Sequence, residues 1–472
     1  MKRLIFIIAA ILFAFQVSGN EPVKKLDSLM NLFHDHNNFS GSVLVAQNGE
    51  ILFSGGYGYA NIEHHIVNSE QMKYRVASIS KQFTSMLILQ KVSEGKMKLD
   101  APIRDYIPDY PAPQGDVITI HHLMSHTSGM PHYAGIPNFF NLYGRQLFEH
   151  RDFVELFWDL DLMWEPGARY SYSSFGYYLL GYILEEVSKK RFADLLDEKI
   201  LHPLGMYESG IEDHRKIIRN RASGYDFILN GFIRAEFRDL STALATGDMY
   251  TTPLDMVLWD EALSNYTLLE KQYQDLIFKP NLNGYGYGWN VGYRKVNEND
   301  SIYYNQHTGG TNGFTSIGTR LPEDGYYILV FCNTRPGEIR SVEQNIVRVL
   351  YGEEIQFTPS VSIAASRIME TEGLQQSLDF LKELSRGNHQ QNGFNLQPIS
   401  SIVSDLISLR RTYEATAFAQ LGTEIFPESA QAHMLLGDAF RADGQEEEAI
   451  KSYARALLIN PSHRQSLLRL GR

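Results

Sequence analysis

The chain has 472 residues, of which 43% are hydrophobic and 21% charged, and its formal net charge is −12 at pH 7. This composition is typical of a folded globular protein of about two to four domains and excludes a disordered, collagen-like or coiled-coil chain. The acidic balance disfavours binding to nucleic acid or anionic lipid. The single cysteine, Cys332, excludes an intrachain disulfide framework, and its apolar, strand-like surroundings predict a buried side chain.

The N-terminus has the pattern of a secretory signal peptide. Lys2 and Arg3 precede the apolar run Leu4–Phe15, and small residues follow up to Gly19. The apolar run is shorter than the roughly 20 residues that span a bilayer, and no cysteine near Gly19 offers a lipid attachment point. We therefore predict that residues 1–19 are removed and that the protein is exported, periplasmic or secreted from a bacterium, without a stable membrane anchor.

Residues 20–355 are predicted to form one α+β domain. Two strand-like runs flank Asn48-Gly49, which is a strong hairpin signal. Helical periods dominate the middle of the segment, after Ser80 and again after Ser174. Aromatic strand-like runs return near the end, at 284–293, 301–306, 313–321 and 326–333. Strands at both ends of the segment predict an antiparallel sheet that is closed by the two termini and flanked by helices.

Residues 356–472 lack strand signals and predict an all-α domain. From about Ala430, small and aromatic residues follow the spacing of a 34-residue tetratricopeptide repeat: Gly437, Ala449 and Ala456 allow two helices to approach, while Phe440 and Tyr453 fill the gap. The preceding 34 residues repeat the pattern weakly, with Gly422 where alanine is usual. We predict a tetratricopeptide-like helical domain that binds a protein partner; the alternative is an amphipathic helical cap.

The first motif with chemical potential is Ser78-Ile79-Ser80-Lys81, at the start of a helical period. Positions i and i+3 share a helix face, so the Lys81 amine comes within reach of the Ser78 hydroxyl. A lysine activates a serine only as the free amine, which requires burial or neighbouring positive charge to lower its pKa. Without further context, such a pair is more often a helix cap followed by a solvated lysine.

Two further motifs lie far away in the sequence. Tyr172-Ser173-Ser174 opens a long apolar helix, and a tyrosine beside a cationic amine can act as a phenolate or as a proton relay. His307-Thr308-Gly309-Gly310 follows the predicted strand 301–306, where glycines allow a substrate to lie against the strand edge. The alternatives are a buried core tyrosine and a glycine turn.

Together the three motifs resemble those of the serine β-lactamase and penicillin-binding-protein superfamily, in its class C β-lactamase-like branch. The resemblance covers about Asn37 to Gly352. It implies a β-lactamase/transpeptidase-like fold and acyl transfer through Ser78, with Lys81 and Tyr172 sharing the proton traffic. It also implies an oxyanion hole formed by the backbone N–H groups of Ser78 and Gly310, with His307, Thr308 and Gly309 along the substrate.

Two positions depart from the family pattern. Ser174 stands where the tyrosine motif usually ends in asparagine, which shortens or removes an amide contact to Lys81 or the substrate. His307 stands where true β-lactamases usually carry lysine, and a largely neutral histidine holds a β-lactam carboxylate less firmly. The resemblance therefore implies a hydrolase for a D-amino-acid peptide, an ester or, weakly, a β-lactam, similar to an esterase, a D-aminopeptidase or a DD-carboxypeptidase.

Other classes of site are weaker matches. We find no Gly-x-Ser-x-Gly elbow of an α/β-hydrolase, and His122 and His126 lack the His-Glu-x-x-His pattern of a zinc protease. No metal or other cofactor is expected. The alternative function is a non-hydrolytic penicillin-binding-type sensor or scaffold that acts through its repeat domain.

Overall fold

The structure, a computed structural model, describes residues 21–36, 39–133, 136, 138–297, 300–335, 337–386 and 394–471. The chain divides into two compact units. The first unit runs to Asp226 and resumes over Arg234–Gln356, and the second comprises Phe227–Ile233 and Phe357–Arg472. The segment Phe227–Ile233 thus groups with the helical unit, although the sequence assigned it to the first domain.

A six-stranded antiparallel sheet forms the centre of the first unit. Its strand order is β10-β11-β12-β13-β1-β2, so the N-terminal strand β1 lies between its hairpin partner β2 and the late strand β13. Strands from the beginning and the end of the predicted domain therefore pair in one sheet, as predicted. The strands are β1 Gly41–Gln47, β2 Glu50–Tyr57, β3 Tyr59–Asn61, β4 Ile66–Val67, β5 Tyr74–Arg75, β6 Gly210–Ile211, β7 Tyr225–Ile228, β8 Gly231–Arg234, β9 Met249–Thr251, β10 Asn290–Lys295, β11 Ser301–Thr311, β12 Phe314–Leu321, β13 Tyr326–Cys332 and β14 Thr334–Arg335.

Local sequence explains most of the sheet. The turn between β1 and β2 is Asn48-Gly49, with both residues at positive φ, as the predicted hairpin requires. Cys332 is buried, in agreement with its apolar surroundings. The prediction of a strand at 284–293 is wrong in its first half. The Gly286 N–H donates to the Trp289 carbonyl in a turn, and the strand begins only at Asn290.

Helices cover the sheet and build a helical subdomain beside it. Helix α2 packs against α7, which also packs against α4, and their apolar side chains join the main core of the unit. A three-stranded sheet of order β5-β9-β6 lies at the start of α2. The helices are α1 Glu21–Asp35, α2 Ser80–Ser93, α3 Gln114–Val117, α4 Ile120–Met124, α5 Phe139–Tyr143, α6 His150–Glu155, α7 Ser174–Ser188, α8 Phe192–Leu196, α9 His202–Leu204, α10 Pro253–Ser264, α11 Lys271–Gln274 and α12 Ile339–Leu350.

The C-terminal part of the second unit is all-helical, as the sequence predicts. Its helices are α13 Val361–Thr371, α14 Leu374–Arg386, α15 Gln397–Ser408, α16 Thr412–Ile425, α17 Ala430–Ala442, α18 Glu446–Ile459 and α19 Arg464–Arg469. The starts of α16 and α18 lie 34 residues apart, as do those of α17 and α19. Gly437 faces Tyr453 so closely that an added Cβ would lie 2.5 Å from the ring. The assignment to the tetratricopeptide repeats nevertheless stays a prediction.

The predicted signal peptide, residues 1–19, lies outside the described residues. Within the described part of the chain, every helix is too short or too polar to cross a bilayer.

Candidate active site

Ser78 and Lys81 meet where a short 3-10 turn, Ala77–Ile79, passes into α2. The Lys81 Nζ donates a hydrogen bond of 3.1 Å to the Ser78 Oγ, which is the geometry that the i, i+3 spacing predicts. Ala77 has a φ of +47°, a conformation that an alanine adopts only under strain. The strained turn leaves Ser78 half-buried at the edge of a cleft, while Lys81 lies wholly below the surface.

The environment of Lys81 favours its free amine. The side chain is 0% exposed, and its Nζ also donates to the Thr246 carbonyl at 2.8 Å. Burial lowers the pKa of Lys81 well below its ordinary value; the Arg238 guanidinium acts in the same direction, and the Asp248 carboxylate opposes it. A buried free amine beside a serine hydroxyl is a suitable general base.

Tyr172 lies close to both Ser78 and Lys81. Its ring centre is 5.0 Å from the Lys81 Nζ and 4.2 Å from the centre of the His126 ring. The phenol oxygen is buried and makes no hydrogen bond within the described structure. Burial raises the pKa of Tyr172 well above its ordinary value, and the nearby Ser78 hydroxyl offsets only part of that rise. The phenol is therefore protonated at neutral pH and can donate a proton rather than accept one.

The His307–Gly310 motif lies inside β11, which continues to Thr311 and does not end at Gln306 as predicted. Gly309 and Gly310 remain in strand conformation because β11 stays paired with β12 as far as Thr311, which lies opposite Phe314. Pairing with β10 ends at Gln306, so in the described structure the following residues present an open strand edge. A Cβ on Gly309 would lie 3.1 Å from the Ser78 nitrogen, so glycine allows this close approach, and Gly310 is exposed.

His307 is held as a neutral imidazole. Its Nδ1 lies 2.7 Å from the Thr308 carbonyl, which can only accept, so Nδ1 carries the proton and Nε2 accepts from the Tyr285 hydroxyl at 3.0 Å. Burial lowers the pKa of His307 to about 3, and the positive charge of Lys81 acts in the same direction. The motif therefore places no positive charge at this position.

The predicted motifs converge on one cleft of about 600 Å³. Ser78, Tyr172 and all four residues of the His307–Gly310 motif line it, with Lys81 buried beneath. Ser174 is also buried, at the start of α7, and is not among the lining residues. Sequence reasoning missed the other residues of the cleft wall, among them Tyr170, Tyr285, Asn290, Glu338 and Arg340.

Among the described residues, no group of three or more histidine, cysteine, aspartate or glutamate side chains is arranged to hold a metal ion. The chemistry that the cleft supports is nucleophilic attack by a serine with a lysine base, a protonated phenol and backbone donors at an open strand edge.

Comparison with known families gives the same class of protein. The family model described as Beta-lactamase matches residues 26–352, which is more than half of the chain. The chain belongs to this family of β-lactamase-fold serine hydrolases. The matched segment carries all three motifs of the cleft and ends before the helices of the second unit.

Individual relatives are distant. A penicillin-binding protein of Bacillus subtilis (strain 168) is 26% identical over 354 residues, which cover 70% of this chain and 76% of the relative. Protein flp of Staphylococcus aureus (strain MRSA252) is 26% identical over 330 residues, and the match covers 66% of this chain but only 63% of that protein.

Two solved structures show the same fold over the first unit. The penicillin-binding protein of Bacillus halodurans superposes with a TM-score of 0.58 at 27% identity and covers 69% of this chain and 98% of its own. The D-amino acid amidase of Ochrobactrum anthropi SV3, in complex with L-phenylalanine amide, gives a TM-score of 0.59 at 25% identity with the same coverage.

Proposed function

We propose that this protein is an exported serine hydrolase that forms an acyl-enzyme at Ser78 with amides or esters of D-amino acids or short peptides. The observation that carries the proposal is the 3.1 Å hydrogen bond from a fully buried Lys81 to the Ser78 hydroxyl. A lysine whose pKa burial lowers is a base that is poised to accept the serine proton.

The reaction follows from the arrangement of the groups. Ser78 Oγ attacks the substrate carbonyl while Lys81 takes its proton, and the carbonyl oxygen becomes negative beside the backbone N–H groups of Ser78 and Gly310. The protonated Tyr172 donates to the leaving group as the acyl-enzyme forms. Water then attacks the ester: the Tyr172 phenolate takes a proton from the water, and the Lys81 ammonium returns its proton to the Ser78 Oγ as the acid product leaves.

Charge at the cleft favours a substrate with an ammonium group. His307 is neutral, so the position that carries lysine in true β-lactamases offers no charge to a β-lactam carboxylate. Glu338 lines the cleft and is exposed, and its carboxylate is a partner for the ammonium group of an amino-acid amide, an amino-acid ester or a peptide. The D-amino acid amidase among the structural neighbours supports this substrate class.

Two parts of the proposal lie outside the catalytic cleft. Export rests on the signal-peptide pattern of residues 1–19. A protein partner for the second unit rests on the 34-residue spacing of its helices.

Intact-mass spectrometry after treatment with a fluorophosphonate probe tests the acyl-enzyme. We expect one adduct on the wild-type protein and none on Ser78→Ala, because the Ser78 hydroxyl lies beside the buried amine of Lys81. A panel of D-aminoacyl p-nitroanilides, their L-isomers, p-nitrophenyl esters and nitrocefin then tests the substrate class. We expect turnover of the D-anilides or the esters to exceed that of nitrocefin.

The outcomes separate the two candidate functions. An adduct without turnover of any panel substrate would favour the non-hydrolytic sensor. The absence of an adduct on the wild-type protein, or an equal adduct on Ser78→Ala, would contradict the proposed chemistry.

A further inference from the structure

Asp248 is a buried carboxyl that the reaction described above does not use. It is 2% exposed, and its Oδ2 accepts a hydrogen bond of 3.2 Å from the Ala245 N–H. Its Oδ1 is buried and has no hydrogen-bond partner in the described structure. An unpaired buried carboxylate oxygen is unfavourable unless the group is protonated or serves a purpose.

The turn that carries Asp248 is built into the active site. Thr246, in the same turn, provides the carbonyl that accepts from Lys81 Nζ, and the Ala245 carbonyl accepts from Thr84 on the same helix as the lysine. Met249 N–H donates to the Ser80 hydroxyl, and a Cβ on Gly247 would lie 3.4 Å from Ala77. The turn 245–249 therefore packs directly on the turn that holds the nucleophile.

Asp248 also lines a second cavity, of about 330 Å³, that shares no lining residue with the substrate cleft. Charged or titratable groups on several elements act on Asp248 or share this cavity with it: Lys81, Glu149, His150, Tyr178, Glu185, Arg191, Asp194, Glu212, Asp213, His214, Arg215, Lys216 and Asp239.

Three neighbouring carboxylates in this cavity have partners. Glu185 is paired with His150, Asp239 with His214, and Glu212 with two arginines. Asp248 is the carboxyl that keeps an unpaired buried oxygen beside this polar cavity.

We propose that Asp248 is a positioning residue for Lys81: it braces the turn whose carbonyl holds the lysine, and by gaining or losing a proton through the second cavity it sets the fraction of Lys81 present as the free amine. This inference rests on the proposed function of the same site. Burial raises the pKa of Asp248 to about 7, with Glu185 acting in the same direction and Lys81 opposing it. The carboxyl therefore changes charge near neutral pH.

The sign of the coupling follows from the charges. An ionised Asp248 stabilises the ammonium form of Lys81 and so raises the pKa of the lysine. A protonated or neutral residue at position 248 removes this effect, so Lys81 becomes the free amine at a lower pH. Because the two groups titrate together, the acid limb of the wild-type acylation profile belongs to the pair.

The test is the second-order rate of acylation by the fluorophosphonate probe between pH 5 and pH 9. In Asp248→Asn, which keeps an acceptor for the Ala245 N–H, we expect the acid limb to move to lower pH by about one to two units. At a pH on that limb, the variant reacts about tenfold faster than the wild-type protein. Asp248→Ser serves as the second neutral variant, should the asparagine disturb folding, and must shift the limb in the same direction.

The matched control is Asp255→Asn, which neutralises another buried carboxyl whose pKa burial raises but whose partners are Ser209 and Glu208 rather than Lys81. It should leave the acid limb in place. An acid limb of folded Asp248→Asn that coincides with the wild-type limb, or an equal shift in Asp255→Asn, would overturn the inference while leaving the proposed function intact. The absence of an adduct on the wild-type protein at every pH would instead contradict the proposed function, and the inference with it.

Discussion

The two units bury different kinds of side chain. The first unit encloses ionisable groups around the nucleophile, among them Lys81, His126, Asp248 and His307. In the described part of the second unit, the buried side chains with polar groups are serines and Tyr453, and the core is mainly alanine, leucine and isoleucine with Val403, Met369 and Phe418. Its ion pairs, such as that of Arg441 with Glu446, are partly or fully exposed.

The buried ionisable groups of the first unit indicate a catalytic role, whereas the mostly apolar core of the second unit indicates a structural one. Burying an ionisable group is unfavourable by several kcal/mol unless the group is paired or changes its protonation state. The first unit retains such groups where they lower or raise the pKa of a neighbour, which is the pattern of an active site. The second unit follows ordinary packing of small and large residues.

The largest expected effect comes from removing the buried amine of Lys81 in the first unit. Lys81→Met keeps the length of the side chain but abolishes the amine, and we expect the acylation rate to fall by at least about a hundredfold. Thermal stability should hold, because a desolvated amine is replaced by an apolar chain. Lys91→Met, on the same helix but paired with Glu94, is the matched control and should keep the wild-type rate. A smaller loss in Lys81→Met would assign the role of base to another group.

The pH dependence of stability offers a second test. Burial holds the pKa of His307 near 3, against an ordinary value of 6.5, so below pH 6.5 the unfolded chain binds a proton that the folded chain does not. The stability that the neutral His307 contributes to the folded state is fully present above about pH 6.5, and it is lost as the pH falls towards 3. Relative to His307→Gln, the wild type should lose about 1.4 kcal/mol of stability per pH unit between pH 6 and pH 4.

Denaturant unfolding monitored at each pH measures this difference. His64→Gln, at an exposed position of the same unit, is the control for a histidine that lies outside the cleft. A wild-type protein and His307→Gln whose stabilities fall in parallel would show that His307 is not held neutral.

Two glycines of the second unit provide the packing test. Gly437→Ala places a methyl group 2.5 Å from the Tyr453 ring, and we expect the free energy of unfolding to fall by about 1–3 kcal/mol. Gly422→Ala makes ordinary contacts of 3.4 Å with Ile399 and Leu396 and should raise it by about 0.5–1 kcal/mol. Neither change should alter the acylation rate. A loss of acylation in either folded variant would break the separation between the two units.

Local spacing predicted part of the site and resemblance predicted another part. The Ser78–Lys81 contact follows from helix geometry alone, whereas the approach of Tyr172 and His307 depends on long-range packing that only the family pattern indicated. Strand β11 was predicted too short because glycines signal a chain break locally, while pairing with β12 continues through them. The motif predicted Ser174 beside the substrate, but this side chain is buried at the start of α7 and is not among the residues that line the cleft.

Tyr285 and Asp248 were missed for different reasons. Tyr285 lies in a segment that reads as an aromatic strand but forms a turn, so its contact with His307 has no local signal. The importance of Asp248 depends on its burial and on the second cavity, neither of which the sequence reveals.

The position of β1 in the middle of the sheet has a consequence for folding. Gly41 pairs with Cys332 across about 290 residues, so closing the sheet requires a contact of very long range, which slows folding. During synthesis the nascent chain contains Ser78 and Lys81 long before Gly309 exists to lie beside them. Ser78 is therefore synthesised early in translation. The proposed acyl-transfer site is complete only after the last strands of the sheet have been synthesised.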